Sequence, residues 1–219
     1  MQMNRRFLAR VACSLMTAAS LALPLAARAA DEAPDVMIKR LSDETLGAIK
    51  SDPGLRNGDL SKVMTLVDTK IMPNVDFRRM TAAAVGPQWR QASPDQQQRL
   101  QAEFKTLLVR TYSGALSQVS DQTVNIKPLR AAADDKEVVV RTEVTGRGDP
   151  IQLDYRLEKT PGDGAGWKIY NLNVLGVWLV ETYRSQFAQE INSKGIDGLI
   201  TALSSRNSTN TANQAGKRS

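Results

Sequence analysis

The chain has no histidine and one cysteine, Cys13, among its 219 residues. Without them there is no Ser-His-Asp or Cys-His arrangement, no usual zinc ligand set and no imidazole acid–base chemistry. Few enzyme classes survive. The glycines are equally uninformative as a catalytic signal: Gly146, Gly148, Gly162, Gly164 and Gly166 form no phosphate loop, because none stands between a strand and a following helix. Aromatic residues make up 5% of the chain and nowhere interleave with a basic patch, which argues against a nucleic-acid partner. What remains for catalysis are acid pairs such as Asp134-Asp135 and Asp31-Glu32. The first falls in a predicted hairpin turn, where aspartate serves turn geometry.

Charge is scarce at the start in a telling way. Arg5, Arg6 and Arg10 precede an uncharged stretch from Val11 to Ala27, and Ala27-Arg28-Ala29 follows. That is the pattern of a secretory signal over residues 1–29 with an A-x-A cleavage site, and it implies a protein that works outside the cytoplasm. Ser14, Thr17, Ser20 and Pro24 interrupt a stretch already short for a membrane span. Cys13 lies before most of the apolar region, whereas a lipidated cysteine ends one. Arg5-Arg6-Phe7 lacks the spacer residue of a twin-arginine signal, which favours the general secretory route.

The formal charge of +6 is misleading. Cleavage removes four of 29 basic residues and none of the 23 acids, leaving 25 against 23, or +2. Residues 30–203 are expected to form one domain, and Ser204–Ser219, rich in Ser, Thr, Asn, Gln and Gly, a disordered polar tail. Without the tail's Arg206, Lys217 and Arg218 the body stands at −1.

The first half of this domain reads helical. A mixed segment from Asp35 to Lys50 ends before Pro53-Gly54. Leu60, Val63, Met64, Val67 and Ile71 recur at helical spacing, with Asp59 as cap and Pro73 as stop. Asp76 caps a short helix closed by Gly86-Pro87. Ser93-Pro94-Asp95-Gln96 is the strongest local signal, a capping box with proline at the first helical position. The helix it opens carries Leu100, Phe104, Leu107, Leu108, Tyr112, Ala115 and Val119 on one face.

Beyond Ser120 the period becomes two, over Thr123–Leu129, Glu137–Thr145, Ile151–Glu158 and Gly166–Val174. The links are too short for crossover helices, so neighbouring strands are antiparallel. Ile151, Leu153, Tyr155 and Leu157 alternate with polar residues, so that one face of this strand meets water. Helix returns with Val180, Tyr183, Phe187 and Ile191, capped by Gly195, and then Ile196, Leu199, Ile200 and Leu203. The fold class is α+β, an antiparallel sheet of about four strands with helices packed on one face.

Several blocks stand in a specific order: Pro73-Asn74-Val75-Asp76-Phe77, Gly86-Pro87-Gln88-Trp89, Ser93-Pro94, Trp167-Lys168-Ile169-Tyr170-Asn171, Gly176-Val177, Tyr183-Arg184 and Gly195-Ile196-Asp197-Gly198-Leu199-Ile200. In these the chain, from about Asp35 to Leu203, resembles the MlaC or toluene-tolerance family of periplasmic phospholipid carriers. It departs at Asn171, where the family commonly has aspartate, and at Trp178, where serine is expected. The resemblance implies a hydrophobic cavity between sheet and helices, open at one end, that takes phospholipid as cargo, with no cofactor or metal. It also implies exchange, as a monomer, with an outer-membrane lipoprotein–porin complex and an inner-membrane ABC transporter. The lining residues it implies are Met64, Val67, Ile71, Phe77, Phe104, Leu108, Tyr112, Val140, Leu153, Tyr155, Leu157, Tyr170, Val177, Tyr183 and Phe187. Each stripe also reads as ordinary core; Trp167, Tyr183 and Arg184 in particular read as structural, the arginine anchoring a carboxylate or the cavity mouth. Two other functions fit the same residues: a periplasmic adaptor whose apolar faces are only core, and a hydrolase using an isolated serine or carboxylate.

Overall fold

The computed structural model describes residues 31–116, 119, 121–132 and 134–215, and of 116 and 210–215 only the backbone. The expected signal over residues 1–29 and its cleavage site lie outside the described residues.

Six α-helices and five strands follow one another: α1 Pro34–Ser51, α2 Pro53–Arg56, α3 Leu60–Leu66, α4 Phe77–Val85, α5 Pro94–Leu116, β1 Thr123–Ile126, β2 Glu137–Thr145, β3 Ile151–Lys159, β4 Trp167–Val174, β5 Val177–Trp178 and α6 Leu179–Ala215. The helix starts obey the capping chemistry of the sequence. Asp59 accepts from the backbone N–H groups of Ser61 and Lys62, and Asp76 from that of Arg79. At α5 the box is reciprocal: Ser93 Oγ accepts from Gln96 N at 3.2 Å and Gln96 Oε1 from Ser93 N at 2.9 Å. The helix expected over Leu60–Ile71 does not run through as α-helix. A π-helical turn occupies Val67–Ile71 and a 3-10 turn Met72–Asn74, which delivers the chain to Pro73.

The sheet is a meander in chain order, β1-β2-β3-β4-β5, every pair antiparallel. Four strands were expected; the fifth is the two-residue return of a hairpin at the end of β4. Leu157 pairs with Ile169 but Arg156 pairs with Asn171, so Tyr170 is the extra residue of a bulge. The bulge shifts the phase of β4. Up to Ile169 the odd positions face the helices, and after it Leu172 and Val174 do, opposite Tyr155 and Leu153.

Helices α4, α5 and α6 enclose one apolar cluster, whose centre is Phe104 with Tyr183 at 4.9 Å and Phe187 at 5.2 Å between ring centroids. A second lies between α1 (Met37, Ile38, Leu41) and the sheet (Val138, Val140, Leu157, Ile169), and Trp167 belongs to it. The third joins α1, α2 and α3 to Val109 of α5. Helix α5 packs chiefly on α6, α3 and α4, and α1 is the helix that lies on β1 and β2.

At the C-terminus Gly195, with φ 69°, separates two helical stretches of α6 as expected, but the second continues past Leu203 to Ala215. The segment from Ser204, expected to be disordered, is therefore helical as far as it is described. Its tether is polar, which composition could not announce: Asn207, 5% exposed, donates to the carbonyl and the carboxylate of Glu103 on α5.

Candidate functional site

Burial along the helix-facing side of β3 falls steadily from one end to the other. Leu157 is fully buried, Tyr155 and Leu153 are half-buried, and Ile151 is 42% exposed. The neighbouring strands repeat it: Ile169 is buried, Leu172 and Val174 half-buried, and Val177 of β5 51% exposed. Helix α5 does the same, from Leu100, Phe104 and Leu107 at 0% through half-buried Leu108 to Tyr112 at 37%. Burial, and to a lesser degree the nearby Tyr183 in the second turn of α6, raises the Tyr112 hydroxyl above its ordinary value. Gln96 at the start of α5 bonds Asp197 and Phe104 meets Tyr183, so the two helices run antiparallel and the open end of α5 lies toward the start of α6, which follows directly on β5. The exposed ends of the sheet and of α5 thus converge at one end of the domain.

Between these faces the core is divided, its first two clusters meeting across half-buried Val75. A domain usually has one contiguous core; here there are three clusters, each edged by half-buried apolar side chains. Leu108, Leu172 and Val174 edge the first, Ile126 and Tyr155 the second, and Met64 and Val67 the third. Tyr155 shows what such an edge is like. Burial pushes its hydroxyl up to about 12, against hydrogen bonding to Ser42 of α1 and Thr142 of β2, which lowers it. The side chain nonetheless keeps accessible surface, so it lies deep and still borders space. Thr142 spends its own hydroxyl on the carbonyl of Leu153 at 2.6 Å, leaving little polar character on this face.

The residues singled out in the sequence divide into three groups. Met64, Val67, Leu108 and Tyr155 are half-buried at the cluster edges, Leu153 is half-buried beside Val174 on the sheet, and Tyr112 and Val177 stand at the open end. Ile71 is half-buried in the π turn. Phe77, Phe104, Tyr183 and Phe187 pack on one another, and Val140 and Leu157 lie inside the second cluster. Tyr170 is apart from all of these. The bulge leaves it under the Arg79 guanidinium, 3.6 Å from the ring centroid, with its hydroxyl donating to Glu137 at 3.0 Å. Arg79 also pairs with Glu158. Leu172, Val174, Thr142 and Ser42 were missed. For the first two a signal existed: apolar residues at 167 and 169 and then at 172 and 174, with Asn171 and Asn173 between, mark the phase break of a bulge. Arg184 was read as an anchor for a carboxylate or the mouth. Its Nε instead donates to the carbonyl of Ala83 at 2.8 Å.

Asn171 and Trp178, the two departures from the family pattern, meet the same pair of residues. Asn171 is 1% exposed; its Nδ2 donates to Glu181 at 2.8 Å and its Oδ1 accepts from Val180 N at 3.1 Å, which fastens β4 to the first turn of α6. Arg156 pairs with Glu181 at 2.5 Å and lies 3.9 Å over the Trp178 ring. Although burial raises the Glu181 pKa, the donors Arg156 and Asn171 outweigh it and hold the carboxyl below its ordinary value. Asn171→Asp replaces one donor by a second carboxylate, and about 2–3 kcal/mol of stability is expected to go at pH 7. The new acid's folded pKa lies above its unfolded value, so the deficit is full above that folded pKa and shrinks as pH falls through it. Urea denaturation at pH 7 and pH 5 checks this; a gap that does not narrow in acid counts against it.

No group of three or more His, Cys, Asp or Glu among the described residues is placed to hold a metal. Two open surface depressions lie elsewhere, one of about 440 Å³ beside Trp89 and Arg184 and one of about 700 Å³ between α1 and β1.

An apolar face that opens at one end, with no catalytic group on it, is the setting for the comparison with known proteins. The family described as MlaC protein matches residues 39–205. The chain belongs to the MlaC family. A phospholipid-binding protein of Ralstonia solanacearum, solved in complex with a phospholipid, is 50% identical with a TM-score of 0.77, over 81% of this chain and 98% of that one. The intermembrane phospholipid transport system binding protein MlaC of Haemophilus influenzae is 23% identical over 80% of this chain and 82% of its own. The toluene tolerance protein ttg2D of Pseudomonas putida is 29% identical over 80% of each. The MlaC family consists of lipid-binding transport proteins and not of enzymes, in agreement with the chemistry that the sequence lacks.

Proposed function

We propose that this chain is a periplasmic phospholipid carrier. The observation that carries the reading is the graded opening between the helix-facing side of β3 and β4 and the C-terminal half of α5, edged by half-buried apolar side chains of three clusters. Acyl chains would lie against Leu153, Tyr155, Leu172, Val174, Leu108, Met64 and Val67, with the head group at the end marked by Ile151, Tyr112 and Val177. Each methylene kept from water is worth about 0.8 kcal/mol, so a sixteen-carbon chain represents about 12 kcal/mol that a carrier must not forfeit in transit. Apolar lining meets that demand, and reactive groups add nothing to it.

The finer reading is that the protein moves phospholipid between an outer-membrane lipoprotein–porin complex and an inner-membrane ABC transporter, as a monomer. Support comes from the intermembrane transport system to which the Haemophilus influenzae relative belongs, the N-terminal signal pattern, and the finding that no helix among the described residues is long and apolar enough to cross a membrane. Native mass spectrometry of the protein purified without detergent is expected to show a diacyl phospholipid adduct that stays intact on incubation. An apo mass under gentle conditions would favour the adaptor, and free fatty acid accumulating with time the hydrolase.

A further inference from the structure

The turn between β4 and β5 sets its sequence against its conformation. Val174 pairs with Val177, so Leu175 and Gly176 form a two-residue hairpin loop, and both have positive φ, 53° and 85°. Such loops favour Asn-Gly, because asparagine tolerates the left-handed region and a branched apolar side chain does not. Leu175 is the one non-glycine residue with positive φ among those described, and at 64% it is the most exposed of the large apolar side chains. Neither the turn nor the core has a use for leucine there. Val177 and Ile151 stand beside it, 51% and 42% exposed, and the nine residues Leu172–Val180 carry no charge.

We propose that this hairpin tip enters the surface of a phospholipid bilayer and so sets the mouth of the cavity against the membrane. The occupant follows from shape and charge. A stable protein interface buries about 1,200–2,000 Å² in total, whereas this is a convex tip of three side chains with no charge for a partner to match. A fluid acyl layer needs neither. At the base of the tip Trp178, stacked under the guanidinium of the Arg156–Glu181 ion pair, supplies an aromatic residue that suits the head-group level. Val177 belongs both to the tip and to the apolar row that runs past Val174 and Leu153, so the surface that meets the bilayer continues into the cavity. The proposal rests on the reading that this cavity holds phospholipid.

Leu175→Asn and Leu175→Gly test it, since both relieve the strained turn and remove the apolar side chain. Melting temperature, co-sedimentation with phosphatidylcholine vesicles, quenching of tryptophan emission by acyl-brominated phosphatidylcholine, and co-purified phospholipid are measured on the same preparations. The melting temperature of Leu175→Asn is expected to rise by about 2–4 °C. Vesicle-bound fraction and quenching should fall at least about fivefold in both variants, while co-purified phospholipid stays at the wild-type level. Wild-type protein that ignores vesicles, or variants that bind them as the wild type does, would overturn the proposal; the first result would assign the tip to a protein partner. Binding through Leu175 by a protein that purifies without phospholipid would uphold the tip and overturn the cargo reading.

Discussion

Leu153→Asp is expected to give a folded protein without phospholipid, and Leu157→Asp, four residues along the same strand face, no folded protein at all. Leu157 is fully buried among Met37, Ile38, Val138 and Ile169. A carboxylate there has no partner and no route to water, and the cost of several kcal/mol consumes most of the 5–15 kcal/mol by which domains are stable. Leu153 is half-buried, paired with Thr142 and Val174, two residues from the 42% exposed Ile151. Its carboxylate can hydrate through the open end, at about 1–2 kcal/mol, but it places a charge where an acyl chain would lie. Circular dichroism, thermal melting and phospholipid extraction on both variants separate the cases. A native Leu153→Asp that keeps its full phospholipid complement would place the site elsewhere.

Phe104→Ala is expected to destabilise by about 3–5 kcal/mol, lowering the melting temperature by roughly 8–15 °C. Phe104 is 0% exposed and meets Tyr183 and Phe187 edge-on, at interplanar angles of 71° and 76°, with Phe77 tilted at 5.7 Å. Its removal empties the middle of the α4–α5–α6 cluster, and edge-to-face contacts add to the loss of buried area. Were Phe104 a lining residue, bound lipid would fill the space and recover part of the loss. Urea denaturation of delipidated and lipid-loaded protein should therefore show the same deficit. A deficit that vanishes in the loaded form would move Phe104 into the binding site.

The parts of this fold that local chemistry dictates were legible beforehand. Asp59, Asp76 and the Ser93–Gln96 box mark their helix starts because a cap is a contact between near neighbours in sequence. The meander was legible because its links are too short for anything but antiparallel pairing. Burial depth was not. Tyr155 and Leu157 share a strand face and a hydrophobic pattern, yet only the first retains surface, because Leu157 lies inside the cluster formed with Met37 and Ile38 of α1 whereas Tyr155 lies at its edge. Periodicity identifies a face but not what stands opposite it, so ring-on-ring core such as Phe104 and Phe187 read the same as cavity edge. The Tyr170 bulge and the Asn207–Glu103 tether escaped for the same reason, since each depends on a partner distant in the chain.

The meander has a kinetic consequence. Every strand pairs with its successor, so the sheet can zip from hairpins whose loops close quickly. Helix α1 meets its successor α2 at one end, but the strands it covers follow only after α2 to α5. Its docking closes the longest loop in the domain and pays that closure entropy late. Substitutions at Met37 or Ile38 should accordingly speed unfolding more than they slow folding, and the cluster that buries Leu157 is the last part of the molecule to become native.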